Sequence, residues 1–206
     1  MKRLIIICEG QTEQEFCKNI LKEHFWDNFQ IEIFTPIIKK SGGGIVKWNI
    51  LKQQIQNHLK QESNAIVTTF IDLYKLKRDY PNYSTNNVDS IECGMSVEIS
   101  ENRFIPYIQK YEFECFVFCS IDVLKNNYKE AEVTDFSKIE DIIKRYPNPE
   151  DINNGIDTAP SKRIKQNIPA YDKINDGTIL AIEMGLQNIR NKCLRFDYWL
   201  KKLEDL

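Results

Sequence analysis

Apolar residues fill positions 4–8 without a break, and the run stops abruptly at Glu9-Gly10. A short unbroken apolar run that ends in turn residues reads as a strand buried on both faces, here over residues 2–8. Thr12 and Glu15 fit a capping box that opens a helix to about His24, with Phe16, Ile20 and Leu21 at helical spacing. Residues 30–38 alternate and carry β-branched side chains, which predicts a second strand, and the glycine-rich stretch 41–44 reads as a loop before a helix over 45–60. The run AIVTTFI at 65–71 predicts a third strand. Pro81 and the polar residues 82–87 mark a long loop, followed by a weak helix interrupted at Gly94. RFIPYIQ, residues 103–109, reads as a fourth strand in which Pro106 implies an edge position or an irregular start. Strands alternating with helices imply an α/β fold, a mostly parallel sheet flanked by helices on both faces.

Beyond Tyr111 the texture changes to short helices and polar turns punctuated by Pro147, Pro149, Pro160 and Pro169, and residues 177–206 hold two apolar runs at helical spacing. The expected organisation is an α/β core over 1–120 and a C-terminal helical extension over 121–206 that packs on it.

Composition narrows the chemistry. The 206 residues are 42% hydrophobic, enough for one large domain or one domain with an appendage. The five-residue opening run is far short of the ~20 residues of a membrane helix, so the expectation is a cytoplasmic protein with no membrane partner. Six cysteines lie mostly in apolar segments without a C-x-x-C pair and read as reduced core thiols. A net charge of −2 announces no global positive field, although residues 161–206 hold nine Lys/Arg against six Asp/Glu. The only histidines, His24 and His58, fall in amphipathic helical stretches, and phosphate-loop, dinucleotide and serine-elbow motifs are missing from the sequence. Chemistry therefore falls to carboxylates, lysine, tyrosine or thiol.

The carboxylates have a pattern. Ligands of open parallel sheets gather outside the carboxyl ends of the strands. Strand one ends in Glu9, strand three in Asp72, and strand four runs into Glu112 and Glu114. Carboxylates brought that close repel one another unless a hard divalent ion holds them ionised, which makes Mg²⁺ or Mn²⁺ the expected cofactor of Glu9, Asp72, Glu112 and Glu114. Each acid alone also fits a solvated loop end or a helix N-terminus. Glu114 stands out, because it is the single acid in the apolar run 113–118. Glu112 and Glu114 share a face only if that segment stays extended.

Ser161-Lys162-Arg163 follows Pro160 at a predicted helix start, where amide groups and the helix dipole favour a phosphate. These three residues, with Gly10 and Thr12 of the turn after Glu9, are the candidate substrate-binding residues, and the motif is expected to approach the acidic edge. A cationic turn or an internal ion pair is the plainer reading. Trp48, Phe196, Tyr198 and Trp199 read as packing rather than base-stacking residues.

EGQTE (9–13), a glycine-rich loop after strand two, FIDLY (70–74), RFIPYIQKYEFE (103–114), PEDIN (149–153), TAPSKRI (158–164), YDK (171–173), GLQNIR (185–190) and a terminal FDYWLKKL resemble, in order, the DUF4276 family over nearly the whole chain. That family is regarded as related to Toprim, the topoisomerase–primase domain, and to nucleases of the overcoming-lysogenization-defect type. The resemblance implies a Toprim-like sheet, with Glu9 as the first-strand Glu and Asp72-Leu73-Tyr74 at the Asp-x-Asp strand end. Here Tyr74 replaces the second Asp, the usual His-Glu-Phe-Glu reads Tyr111-Glu112-Phe113-Glu114, and the usual Cys-Pro-His-Phe reads Cys193-Leu194-Arg195-Phe196. These departures bear on any histidine-assisted step and on a two-metal site. What the resemblance implies is a Mg²⁺-dependent nuclease acting on DNA or RNA, with Glu9, Asp72, Glu114 and Lys162 catalytic, a partner ATPase and a place in prokaryotic defence. The alternative is a non-catalytic nucleic-acid-binding or regulatory subunit on the same fold.

Overall fold

The structure is a computed structural model that describes residues 2–39, 45–85, 87–131, 134–153, 155 and 157–206, without the side chains of Lys173 and Ile174. The expected glycine loop at 41–44 lies outside the described residues. The chain divides into two compact units, Met1–Lys110 with Leu206, and Tyr111–Asp205.

The first unit is built on β1 (Lys2–Cys8), whose residues 4–8 are all essentially inaccessible to solvent, as an unbroken apolar run requires. It pairs in parallel with β2 (Ile31–Phe34) on one side and β3 (Ala65–Asp72) on the other. Two short strands, β4 (Phe104–Ile105) and β5 (Ile108–Gln109), pair in parallel with β3, giving the order β2-β1-β3-β4 with β5 beside β3. The fourth strand expected over 103–109 is thus split. Pro106 has no N–H for the ladder, and the Thr69 hydroxyl fills the gap, accepting from the Tyr107 amide at 3.0 Å and donating to its carbonyl at 2.9 Å. The second strand is likewise shorter than residues 30–38: Gln30 adopts a left-handed conformation, and only a single bridge, Cys8 to Ile37, continues the pairing.

The turn after β1 differs from expectation in its cap. Gly10, not Thr12, is the N-cap of α1 (Gln11–Phe16), and Glu13, not Glu15, accepts the Gly10 amide at 2.8 Å. The chain turns at once after Glu9, which brings the third helical residue rather than a later one within reach of the cap. A π-helical turn, Cys17–Leu21, then leads into α2 (Lys22–Phe29), so the helix runs past His24. The next helix, α3 (Trp48–Gln61), starts three residues later than predicted. Arg103 donates to its C-terminal carbonyls at Leu59 and Glu62, a favourable place for a cation. Gly94 does not interrupt α4 (Val88–Ile99). A Cβ at Gly94 would meet the Pro81 Cβ at 2.9 Å, so glycine permits the close approach of the loop.

The second unit is helical, as the sequence predicts for the C-terminal stretch. Its centre is a 3-10 helix, Phe113–Cys119, with all seven residues buried. Around it stand α5 (Ile121–Tyr128), α6 (Phe136–Arg145), α7 (Pro160–Asn167), α8 (Lys173–Met184), α9 (Leu186–Lys192) and α10 (Leu194–Glu204). Edge-on ring contacts run from Phe113 to Phe116 and on to Phe196, with Trp199 tilted beside Phe196, so Phe196 and Trp199 pack as predicted. Trp48 packs against Tyr80 in the first unit, whereas Tyr198 is 62% exposed under Lys202. Five of the six cysteines are buried free thiols, and Cys93 is exposed. Among the described residues, no helix is long and apolar enough to cross a membrane.

Candidate functional site

Parallel pairing brings the ends of β1 and β3 side by side. The register sets Cys8 opposite Phe70, and the Glu9 amide donates to the Phe70 carbonyl at 3.0 Å. Glu9 Oε2 in turn accepts the Asp72 amide at 2.9 Å. Two carboxylate-bearing residues 63 positions apart are therefore seated together at the carboxyl edge of the sheet, Asp72 buried and Glu9 half-buried. Glu13 is buried beside the same turn, on the Gly10 amide. Across β3, Gln109 stands opposite Asp72 and accepts the Tyr107 hydroxyl at 2.6 Å.

The loop leaving Asp72 adds what the sequence reading overlooked. Tyr74, in the position of the absent second Asp, lies 5.0 Å beneath the Lys75 ammonium. Lys75 itself is left-handed, which bends the chain sharply after the strand. Lys75, Lys77 and Arg78 are exposed, and the clue was available as a YKLKR run directly after a strand-end acid. Tyr80 closes this loop with its ring on Trp48, and its buried hydroxyl has no hydrogen-bond partner among the described residues. Burial, then the charges of Glu9 and Asp79, push that hydroxyl well above the ordinary tyrosine range. An unpaired buried hydroxyl costs about 1–3 kcal/mol. Tyr80→Phe is therefore expected to leave the protein as stable as the native chain or about 1 kcal/mol more stable in urea unfolding; a loss above about 1 kcal/mol would mean that the hydroxyl is satisfied.

The other predicted residues lie in the second unit. Glu112 is the extended residue that starts the central 3-10 helix, and its carboxylate accepts both the Ser161 amide, at 3.0 Å, and the Ser161 hydroxyl, at 3.1 Å. The expected helix start at Pro160 is present, and its first N–H, that of Ser161, serves Glu112. Arg163 donates through Nε to the Thr158 carbonyl at 2.7 Å and spreads over the Tyr146 ring, while Lys162 is exposed. Glu114 is fully buried, and after burial itself its charge is the largest cause raising the Tyr171 hydroxyl. Glu150, which the sequence reading did not single out, is also fully buried and accepts the amides of Arg195, at 2.7 Å, and Phe196, at 3.2 Å, at the start of α10. Nothing local in the sequence marks it, because its partners are main-chain groups 45 and 46 residues away.

The Glu9–Asp72 pair offers hard oxygen donors, and among the described residues no group of three or more His, Cys, Asp or Glu has metal-holding geometry. A closed zinc-type cage does not fit these residues. One or two carboxylates commonly suffice for Mg²⁺, with water and substrate phosphates completing its shell.

Comparison with known proteins adds one finding: the profile of DUF4276, a domain of unknown function, matches residues 8–204. No curated protein and no solved structure matches the chain.

Proposed function

The chain belongs to the DUF4276 family, and on the strength of its own strand-end carboxylates we propose that it is a Mg²⁺- or Mn²⁺-dependent nuclease that hydrolyses phosphodiester bonds in DNA or RNA. The observation that supports the reading is the 2.9 Å bond from the Asp72 main-chain amide to the Glu9 carboxylate, at the strand ends where ligands of parallel sheets gather. The reading draws on first-unit residues alone.

Their roles follow from their positions. Asp72 would hold the ion, and Glu9, fixed through Oε2 by the Asp72 amide, would serve as ligand or as proton acceptor. Mg²⁺, when bound, polarises the phosphate and acidifies water. The exposed cations Lys75, Lys77 and Arg78 attract the polyanion to an edge that carboxylates alone would repel. Partner recruitment, including the ATPase implied by the resemblance, belongs to the same proposal.

Titration with Mg²⁺ or Mn²⁺ in the presence of an uncleavable oligonucleotide tests it. An ion bound only by the folded state at 100 times its Kd adds about 2.7 kcal/mol, so the melting temperature is expected to rise by several degrees. A flat response would favour the non-catalytic binding subunit, which Tyr74 at the place of a second acid already supports.

A further inference from the structure

We propose that the cleft between α6 and α7 of the second unit is a binding groove for the phosphate backbone of a nucleic-acid strand. It rests on the reading of nucleic acid as the partner and assigns a contact surface outside the carboxylate pair. The cleft encloses about 430 Å³ and is lined by Lys138, Arg145 and Arg163, the amides Gln166 and Asn167, and a single acid, Asp141. Three cations against one carboxylate leave the walls positive in a chain whose net charge is −2. The two helices together carry Lys138, Lys144, Arg145, Lys162, Arg163 and Lys165 against Glu140 and Asp141.

The cations are not consumed by the fold. Arg145 is exposed and makes no ion pair among the described residues. Lys138 reaches Asp135 at 3.0 Å, but this is a surface pair with the lysine side chain 70% exposed, of the kind that contributes little and exchanges readily for a phosphate. Arg163 uses Nε on Thr158 and rests on Tyr146, which fixes the plane of the guanidinium and leaves its two terminal nitrogens as donors. A fixed guanidinium fork suits phosphate oxygens, while the Gln166 and Asn167 side-chain amides of the same wall already donate to the Asp157 and Arg163 carbonyls and give it polarity rather than charge. Since amides and cations carry no base code, the groove reads the backbone and tolerates sequence.

Anisotropy of a labelled single strand of about 20 nucleotides, longer than the ~4–16 that one small domain covers, measures the contact. Running it in EDTA separates binding from cleavage. The double variant Lys138→Glu, Arg145→Glu is expected to weaken binding at least tenfold and to reduce the slope of log K against log salt by about 1.4, two phosphates at about 0.7 each. Arg145→Gln alone, which removes no internal contact, is expected to lower the slope by about 0.7. A control pair, Lys22→Glu with Lys129→Glu, changes net charge equally at exposed positions outside the cleft. Equal losses in test and control pairs, an unchanged slope in the test pair, or no binding by the native protein would each overturn the groove. Binding lost in the test pair with cleavage never detected would leave the groove standing and remove the nuclease reading; the converse would do the opposite.

Discussion

Glu9→Gln is expected to lower metal-dependent cleavage of a nucleic-acid panel by roughly 10²-fold or more, the magnitude usual for removing one proton-transfer group. The substitution is nearly silent for the fold. Gln keeps an oxygen to accept the Asp72 amide, and it removes a negative charge from an edge that already holds Asp72 and Glu13. Unfolding free energy is therefore expected to fall by no more than about 1 kcal/mol, the usual worth of one hydrogen bond. The assay needs Mn²⁺ as well as Mg²⁺ and a candidate partner protein, so that an absent activator is not mistaken for an absent site. Equal cleavage by the native protein and the Gln variant would remove Glu9 from the chemistry.

The largest stability effect is expected at a residue with no proposed chemical role. Glu150→Ala deletes a fully buried carboxylate that accepts the second and third amides of α10, and a methyl group cannot replace it. Each hydrogen bond to a charged acceptor is worth about 1.5–3 kcal/mol, and the Phe196 amide would be left buried, and the Arg195 amide part-buried, without that acceptor. A loss of about 3–5 kcal/mol is expected in urea unfolding, read through Trp199, which lies buried on the same helix. Glu150→Gln keeps one acceptor oxygen and should fall between the two. A cost below about 1 kcal/mol for Ala would show that water caps α10 equally well.

These two acids differ in how far the sequence could reveal them. Glu9 was legible because the buried run of β1 points straight at it, and the same logic located Asp72 at the end of β3. Glu150 and the role of Glu112 were not, since each carboxylate serves the start of a helix far along the chain, Glu150 two main-chain amides and Glu112 the amide and hydroxyl of Ser161. The split between β4 and β5 depended on a side chain of the neighbouring strand, Thr69, repairing what Pro106 broke. Gly94 looked like an interruption because glycine weakens a helix in isolation, whereas here the missing Cβ makes room for Pro81. Thr12 and Glu15 matched the spacing of a capping box, but spacing cannot tell on which residue the chain turns.

The distribution of the thiols has a kinetic consequence. Cys8 and Cys17 are buried in the first unit, Cys115, Cys119 and Cys193 in the second, and only Cys93 faces solvent. Burial pushes the Cys8 and Cys193 thiols up, and the hydrogen bond to Cys193 together with burial does the same to Cys119, so few reactive thiolates form while the chain stays closed. A thiol reagent then modifies Cys93 at once and reaches the others only when their surroundings open. Because the two buried sets belong to different units, mass spectrometry of the labelled peptides becomes a pair of clocks, one for each unit, and their rates tell whether the halves of this chain breathe together or apart.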